Sequence, residues 1–78
     1  MITAIDQYVI DKVREIRTRK NITQEQLAVA ANIFSGFIGD VEGGKRGKKY
    51  NLRHLNAFAE VLECSPREFL PEYPIRQS

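Results

Sequence analysis

Apolar residues recur at helical spacing in the first part of the chain. Four of them are separated by four, four and three positions and predict one stripe of a first helix: Ile5, Val9, Val13 and Ile16. Thr3 is suited to cap the start of this helix, with Asp6 three residues further on. We expect the helix to end near residues 20–21, where Arg19 and Lys20 match the negative end of the helix dipole.

The clearest helix start in the chain is a capping box, in which Thr23 and Gln26 bond to each other's backbone N–H groups. Ile22 before the cap and Leu27 after it form a hydrophobic staple. The pattern predicts a short second helix over residues 23–31, with its small and branched apolar side chains facing inward.

A third short helix is predicted over residues 35–42, with Ile38 and Val41 as its buried pair. Gly43 and Gly44 end it, because glycine adopts the left-handed closing conformation without strain. Only about three residues separate the second and third helices, so the two must cross steeply, as the helices of a helix-turn-helix do.

A fourth helix opens at Asn51, where Tyr50 and Leu55 are placed as a staple. Its predicted apolar stripe consists of Leu52, Leu55, Phe58, Ala59 and Leu62. Ser65 and Glu68 have the spacing of another capping box, with Pro66 at the favoured first position of a final helical turn.

The chain is therefore expected to be all-α, a compact bundle of five short helices. No segment alternates like a strand, and there is no repeat or linker. We expect one domain over residues 1–78, with a core over about residues 5–70 and a tail at 71–78, where Pro71 and Pro74 prevent regular helix.

Composition excludes several classes of function. One cysteine and one histidine form neither a disulfide nor a four-ligand zinc site, and no catalytic set or phosphate-cradling loop is present. We expect no enzymatic activity, no metal and no cofactor. Without a membrane span or a signal peptide, the expected location is the cytoplasm. Cys64 is expected to be a small buried or half-buried apolar residue, and His54 a surface residue.

The net charge of +2 is small, but its distribution is uneven. Five basic residues and no acidic one lie between positions 45 and 53: Lys45, Arg46, Lys48, Lys49 and Arg53. A second basic group ends the first helix: Arg14, Arg17, Arg19 and Lys20. Charge alone fits a nucleic-acid contact and a solvated surface equally well.

Several segments together resemble the Cro/repressor-type, or XRE-type, helix-turn-helix domain. They are residues 23–28, 31–33, Ile38, residues 41–42 and 44–46, and the later Leu52, Leu55, Ala59, Leu62 and residues 65–70. The resemblance covers about residues 13–70. It implies a lambda-repressor-like fold, with the helix-turn-helix at helices 2 and 3 and the third helix in the DNA major groove.

The resemblance also assigns residues. An arginine of the first helix pairs in this family with the glutamate that ends the recognition helix, and the matching residues are Arg17 and Glu42. The positions that contact DNA phosphates correspond to Gln24, Lys45, Arg46, Lys48, Lys49 and Asn51.

The recognition helix departs from the family pattern, which has a small hydroxyl residue in place of Phe34 and long polar residues further on. The candidates for contact with bases or groove are Ser35, Gly36, Phe37 and Asp40. Phe37 is suited to a thymine methyl group and Asp40 to a cytosine amino group. Core packing is the favoured interpretation of Phe34 and an equal alternative for Phe37, while a solvated carboxylate is the alternative for Asp40.

The sequence supports two candidate functions, which belong to different functional classes. The first is a small homodimeric transcription regulator that binds double-stranded DNA in a sequence-specific manner, with a dimer face expected around residues 61–75. The alternative is a protein-interaction module, such as the partner-binding domain of an antitoxin. The basic segment at residues 45–49 favours the first, because a protein-binding face would be more apolar.

Overall fold

A computed structural model describes residues 1–76, and the first helix, α1, spans Ala4–Arg19. The predicted cap is present: Thr3 Oγ1 accepts from the Asp6 N–H at 3.3 Å, and the Asp6 carboxylate accepts from the Thr3 N–H at 3.0 Å. The bond from the Thr3 backbone is the largest of the effects that lower the pKa of Asp6. Beyond the end of α1, the Lys20 ammonium donates to the Leu62 carbonyl.

Helices α2 and α3 span Gln24–Ala30 and Phe37–Glu42. The capping box of α2 is confirmed, since Gln26 N–H donates to Thr23 Oγ1 at 3.0 Å and Thr23 N–H to the Gln26 side chain at 2.9 Å. Helix α3 begins two residues later than predicted. Ser35 belongs to the preceding turn, and Gly36, at the cap position, has no side chain to hold the first N–H groups.

Helix α4 spans Leu52–Leu62 and begins with a capping box between Asn51 and His54. The predicted fifth helix is a short 3-10 turn, Pro66–Phe69, in which Ser65 Oγ accepts from the Arg67 N–H rather than from Glu68. A second 3-10 turn spans Lys45–Gly47. Within residues 1–76 the fold is all-α and without strands, as predicted, but it has four α-helices instead of five.

The core lies where all four α-helices meet the last 3-10 turn. Its largest fully buried side chains are Phe58, Phe69, Ile16, Leu27, Ile38, Leu62, Val13 and Val41. Two predicted core positions are wrong: Ile5 is 40% exposed and Leu52 is 79% exposed. Both occur in the first turn of their helices, beyond the reach of the packing partners. Ile10, which lies outside the predicted stripe, is buried instead.

None of the helices in residues 1–76 combines the length and the apolar character that a membrane crossing requires.

Candidate nucleic-acid interface

The end of α3 is joined to α1 by the predicted ion pair. Arg17 Nε donates to Glu42 Oε2 at 3.1 Å and Arg17 Nη2 donates to Glu42 Oε1 at 2.8 Å, so the contact is bidentate. A third donor of the guanidinium, Nη1, bonds to the Ile22 carbonyl at 2.9 Å. Arg17 therefore holds both the end of α3 and the segment that leads into α2.

Gln24 extends this network from the first turn of α2. Its amide nitrogen donates to Glu42 Oε1 at 2.9 Å, so the side chain predicted to contact phosphate is bonded within the protein. The side chain lies against Gly39, where an added Cβ would stand 3.1 Å from Gln24 Oε1. The glycine in the middle of α3 thus gives Gln24 the space to reach Glu42.

The basic loop, residues 45–49, follows α3 directly and has a tightly wound backbone. Three residues within the loop or directly before it have left-handed conformations: Gly44 with φ of 75°, Arg46 with φ of 57° and Gly47 with φ of 64°. A bond from the Lys48 N–H to the Lys45 carbonyl at 3.1 Å closes the turn. The side chains of Lys45, Arg46 and Lys49 are exposed, and Lys48 is half-exposed.

All three lysines of the loop have carboxylate partners. Lys48 Nζ donates to Asp40 Oδ2 at 2.9 Å, and Lys45 Nζ lies 3.9 Å from the other oxygen of Asp40. The hydrogen bond from Lys48 is the main cause that lowers the pKa of Asp40. Lys49 Nζ lies 3.4 Å from Asp6 Oδ2 at the start of α1. Asp40 is accordingly not a free carboxylate but the counter-charge that fixes the basic loop beside α3.

Asn51, at the start of α4, is exposed and has two roles in the cap. Its side-chain oxygen accepts from the His54 N–H at 2.9 Å, and its backbone N–H donates to His54 Nδ1 at 3.0 Å. The amide nitrogen of Asn51 is not used by these bonds. It remains suited to a phosphate beside the basic loop.

Phe37 is half-buried in an aromatic cluster rather than projecting from the recognition helix. Its ring centroid lies 4.9 Å from that of His54 and 6.0 Å from that of Tyr50. His54 is therefore not the plain surface residue expected, and its burial is the main cause that lowers its pKa. Burial also raises the pKa of Tyr50, whose hydroxyl has no hydrogen-bond partner in the described structure. For Phe37 the structure favours the packing interpretation.

Phe34, unlike Phe37, is exposed to solvent. It was expected in the core, but it is 69% exposed in the turn that leads into α3. Ser35 and Gly36 beside it are exposed as well. Phe34 lies in the segment between α2 and α3, where its side chain does not reach the core. The apolar character of the residue was therefore a misleading indicator of burial. The glycine two residues later was the one available signal of an unusual local conformation.

Together these contacts bring a short helix, an exposed turn and a basic loop to one side of the molecule. The Arg17–Glu42 pair and the Lys48–Asp40 pair fix α3 at its end and along its side. Arg46 is an exposed cation of the loop, and Lys45, Lys48 and Lys49 have carboxylate partners 2.9–3.9 Å away. No trio of metal-ligating residues occurs among residues 1–76. The arrangement suits a polyanion with an accessible groove.

The chain belongs to the family of Cro/C1-type helix-turn-helix DNA-binding domains, whose sequence model matches residues 12–71. The match contains α2, α3, the basic loop and α4. A search of curated protein sequences found no significant match.

Three solved structures resemble the fold. The restriction-modification controller protein C.AhdI from Aeromonas hydrophila is 30% identical, over 81% of this chain and 92% of that one, with a TM-score of 0.70. The hypothetical transcription factor NHTF from Neisseria is 19% identical, over 86% and 75%, with a TM-score of 0.75. The P22 c2 repressor, solved with a synthetic operator, is 24% identical, over 80% and 91%, with a TM-score of 0.65.

Proposed function

We propose that this protein is a small transcription regulator that binds double-stranded DNA in a sequence-specific manner as a homodimer. One observation carries the proposal: the bidentate bond between Arg17 and Glu42 fixes α3 directly before a basic loop. A helix presented in this way enters a major groove while the adjacent loop lies along the phosphate backbone. The likeness to C.AhdI, a controller of a restriction-modification system, supports a regulatory function.

The phosphate contacts are assigned to Lys45, Arg46, Lys48, Lys49 and Asn51. Lys45, Arg46 and Lys49 are exposed cations, and a phosphate oxygen competes directly with Asp40 for Lys48. Gln24 contributes to the same surface with its backbone N–H in the first turn of α2, since its side-chain amide donates to Glu42. These contacts position the protein without reading the sequence.

Base or groove contacts are assigned to the exposed turn that leads into α3. Ser35 offers a hydroxyl group and Gly36 a bare backbone, while Asp40 acts by holding Lys48. None of these makes the bidentate base contact that arginine, asparagine or glutamine provides. We therefore expect a modest ratio of specific to non-specific affinity, toward the lower end of the usual range of about 10³ to 10⁷.

The geometry of DNA supports the homodimer. Two recognition helices reach successive major grooves only when they are about 34 Å apart, which requires a two-fold pair. The face proposed for pairing is the C-terminal half, residues 61–75. Leu70 and Tyr73 are exposed there, and Leu70 lines a groove together with Tyr8 of α1.

A salt titration with random-sequence duplex DNA tests the proposal. With about four to six phosphate contacts for each half-site, the logarithm of affinity should fall against the logarithm of salt with a slope of about −7 to −10 for a dimer. Lys45→Ala should lower the affinity for all duplexes alike and reduce the slope by about 0.9 for each protomer. Arg19→Ala removes an exposed cation that lies 3.7 Å from Glu15 at the end of α1 and serves as the control.

Two results would contradict the proposal. The absence of duplex binding at low salt would favour the alternative, a protein-interaction module of the antitoxin kind. A protein that sediments as a monomer, both alone and on a duplex with two half-sites, would exclude the homodimer.

A further inference from the structure

The turn that precedes α3 exposes a phenylalanine at the start of the proposed reading surface. Phe34 is 69% exposed, and the residues immediately following it, Ser35 and Gly36, are exposed too. Exposure of an aromatic side chain to water is unfavourable by roughly 25 cal/mol for each Å² of apolar surface. The core of the protein contains Phe58 and Phe69 but gives Phe34 no place.

The Phe34 ring is nevertheless held in a defined position. A Cβ added to Gly36 would stand 3.1 Å from Phe34 Cζ and 3.3 Å from Cε2, so the ring lies directly against the Gly36 backbone. The Phe34 carbonyl accepts from the Phe37 N–H at 3.0 Å, which fixes the backbone of the turn. Gly36 therefore provides the space in which the ring lies, and a Cβ there would displace the ring by a few tenths of an ångström.

The segment of the chain that carries the ring is uncharged. Residues 32–39 contain no acidic or basic side chain, whereas the basic loop follows α3 at its other end. A phosphate backbone would contact the loop, and the part of DNA that faces the start of α3 would then be the base edges in the groove. The one apolar group on those edges is the C5-methyl group of thymine.

We propose that Phe34, positioned by Gly36, contacts a thymine C5-methyl group in the major groove and determines part of the sequence preference. This inference rests on the proposed DNA-binding function and adds a base-reading residue to it. It also accounts for a recognition helix without long polar side chains, because an apolar contact replaces hydrogen bonds to base edges.

The test replaces thymine with deoxyuridine, which lacks the methyl group and keeps the same hydrogen-bonding groups. A duplex bound by the protein is first selected from random-sequence DNA, and each thymine in it is then exchanged singly. Loss of a contacted methyl should weaken binding by the wild type about fourfold, the equivalent of ~0.8 kcal/mol for a buried carbon. Phe34→Ala should bind the two duplexes equally at that position.

Two further variants complete the experiment. Gly36→Ala adds the Cβ that would displace the ring, so it should reduce the discrimination between thymine and uracil while the salt slope stays unchanged. Leu52→Ala removes another exposed apolar side chain, at the start of α4, and should leave the discrimination intact.

The possible failures are distinguishable. If the wild type binds its selected duplex but no thymine can be exchanged for uracil with loss of affinity, or if Phe34→Ala discriminates like the wild type, the assignment of Phe34 is wrong and DNA binding stands. If the wild type binds no duplex at all, the proposed function itself fails, and a protein partner becomes the ligand for this surface.

Discussion

Arg17 of α1 and Glu42 of α3, which are 25 residues apart in the chain, form a bidentate ion pair. The two side chains are only 9% and 4% exposed, so both charges have lost most of their hydration. Removal of one partner from such a pair costs more than the pair itself contributes, because the other charge stays buried without compensation. Gln24 and the Ile22 carbonyl share the site, which makes it a four-member network.

Arg17→Ala should lower the free energy of unfolding by roughly 3–5 kcal/mol, the usual cost of an orphaned buried charge. For a domain of this size that corresponds to a decrease in Tm of more than about 12 °C. Affinity for DNA should fall as well, because the end of α3 is no longer held. Urea unfolding and duplex titration measure the two effects.

The matched control is Arg19→Ala, which removes an exposed arginine 3.7 Å from Glu15. Its effect on stability should be below about 1 kcal/mol. A loss of the same small size in Arg17→Ala would mean that the buried pair does not position α3.

The two aromatic residues around the start of α3 should behave differently. Phe37→Ala removes a half-buried ring that packs on Tyr50 and His54, and should cost about 2 kcal/mol, below the 3–5 kcal/mol of a fully buried phenylalanine. Phe34→Ala should cost less than about 0.5 kcal/mol. Thermal unfolding of the two variants compares them directly, and equal losses would place both rings in the core.

Asp40→Asn should increase the affinity for random duplex DNA. Lys48 no longer has a carboxylate partner in this variant, and a negative charge is removed from the side of α3 that carries the basic loop. The salt slope should become steeper by about 0.9 for each protomer, one additional counterion released. A loss of affinity confined to particular sequences would instead show that Asp40 accepts a hydrogen bond from cytosine.

Acidification should destabilise the protein through His54. Its pKa is lowered from 6.5 in the folded state, so the unfolded chain takes up the proton first. The stability it contributes is full above about pH 6.5 and is lost as the pH falls through the lower folded pKa. Protonation also removes Nδ1 as the acceptor for the Asn51 N–H.

Tm measured between pH 7.5 and pH 5 should therefore decrease in the wild type. The decrease should be smaller in His54→Gln, which keeps an acceptor at the same position of the capping box. Asp6 and Asp40 do not contribute to the change in Tm over this pH range, because their pKa values are lowered from 3.8. An unchanged pH dependence in His54→Gln would assign the effect to another group.

The helices could be predicted from the sequence because most helix starts depend on contacts between residues three positions apart. The caps at Thr3, Thr23 and Asn51 are all formed, and each fixes a helix start within one residue. The start of α3 has no such cap, and there the prediction was wrong by two residues. Ser65 has the right residue types around it, yet the short segment forms a 3-10 turn.

Periodicity was less informative about which apolar residues are buried. It identifies the side of a helix but not where the neighbouring element ends, so Ile5 and Leu52 were placed in the core although nothing covers them. For a similar reason Phe34 was wrongly placed in the core, and Phe37 was left open between core packing and DNA contact. A turn of six residues between α2 and α3 redirects the chain, and only the tertiary structure shows which ring meets Tyr50.

Pairing between side chains was predictable only where a family pattern supplied it. The resemblance gave Arg17 and Glu42, and the structure contains that pair. The bonds from Lys48 to Asp40 and from Gln24 to Glu42 have no sequence signal, because both depend on the path of the backbone between the partners.

The left-handed backbone at the basic loop has an evolutionary consequence. It occurs at Gly44, directly before the loop, and at Arg46 and Gly47 within it. The shape of the loop is set by its backbone, and none of its side chains is buried in the core. Lysines and arginines there can be gained or lost by single mutations without a new packing solution. The strength of DNA attachment can therefore drift in either direction while the folded scaffold stays the same.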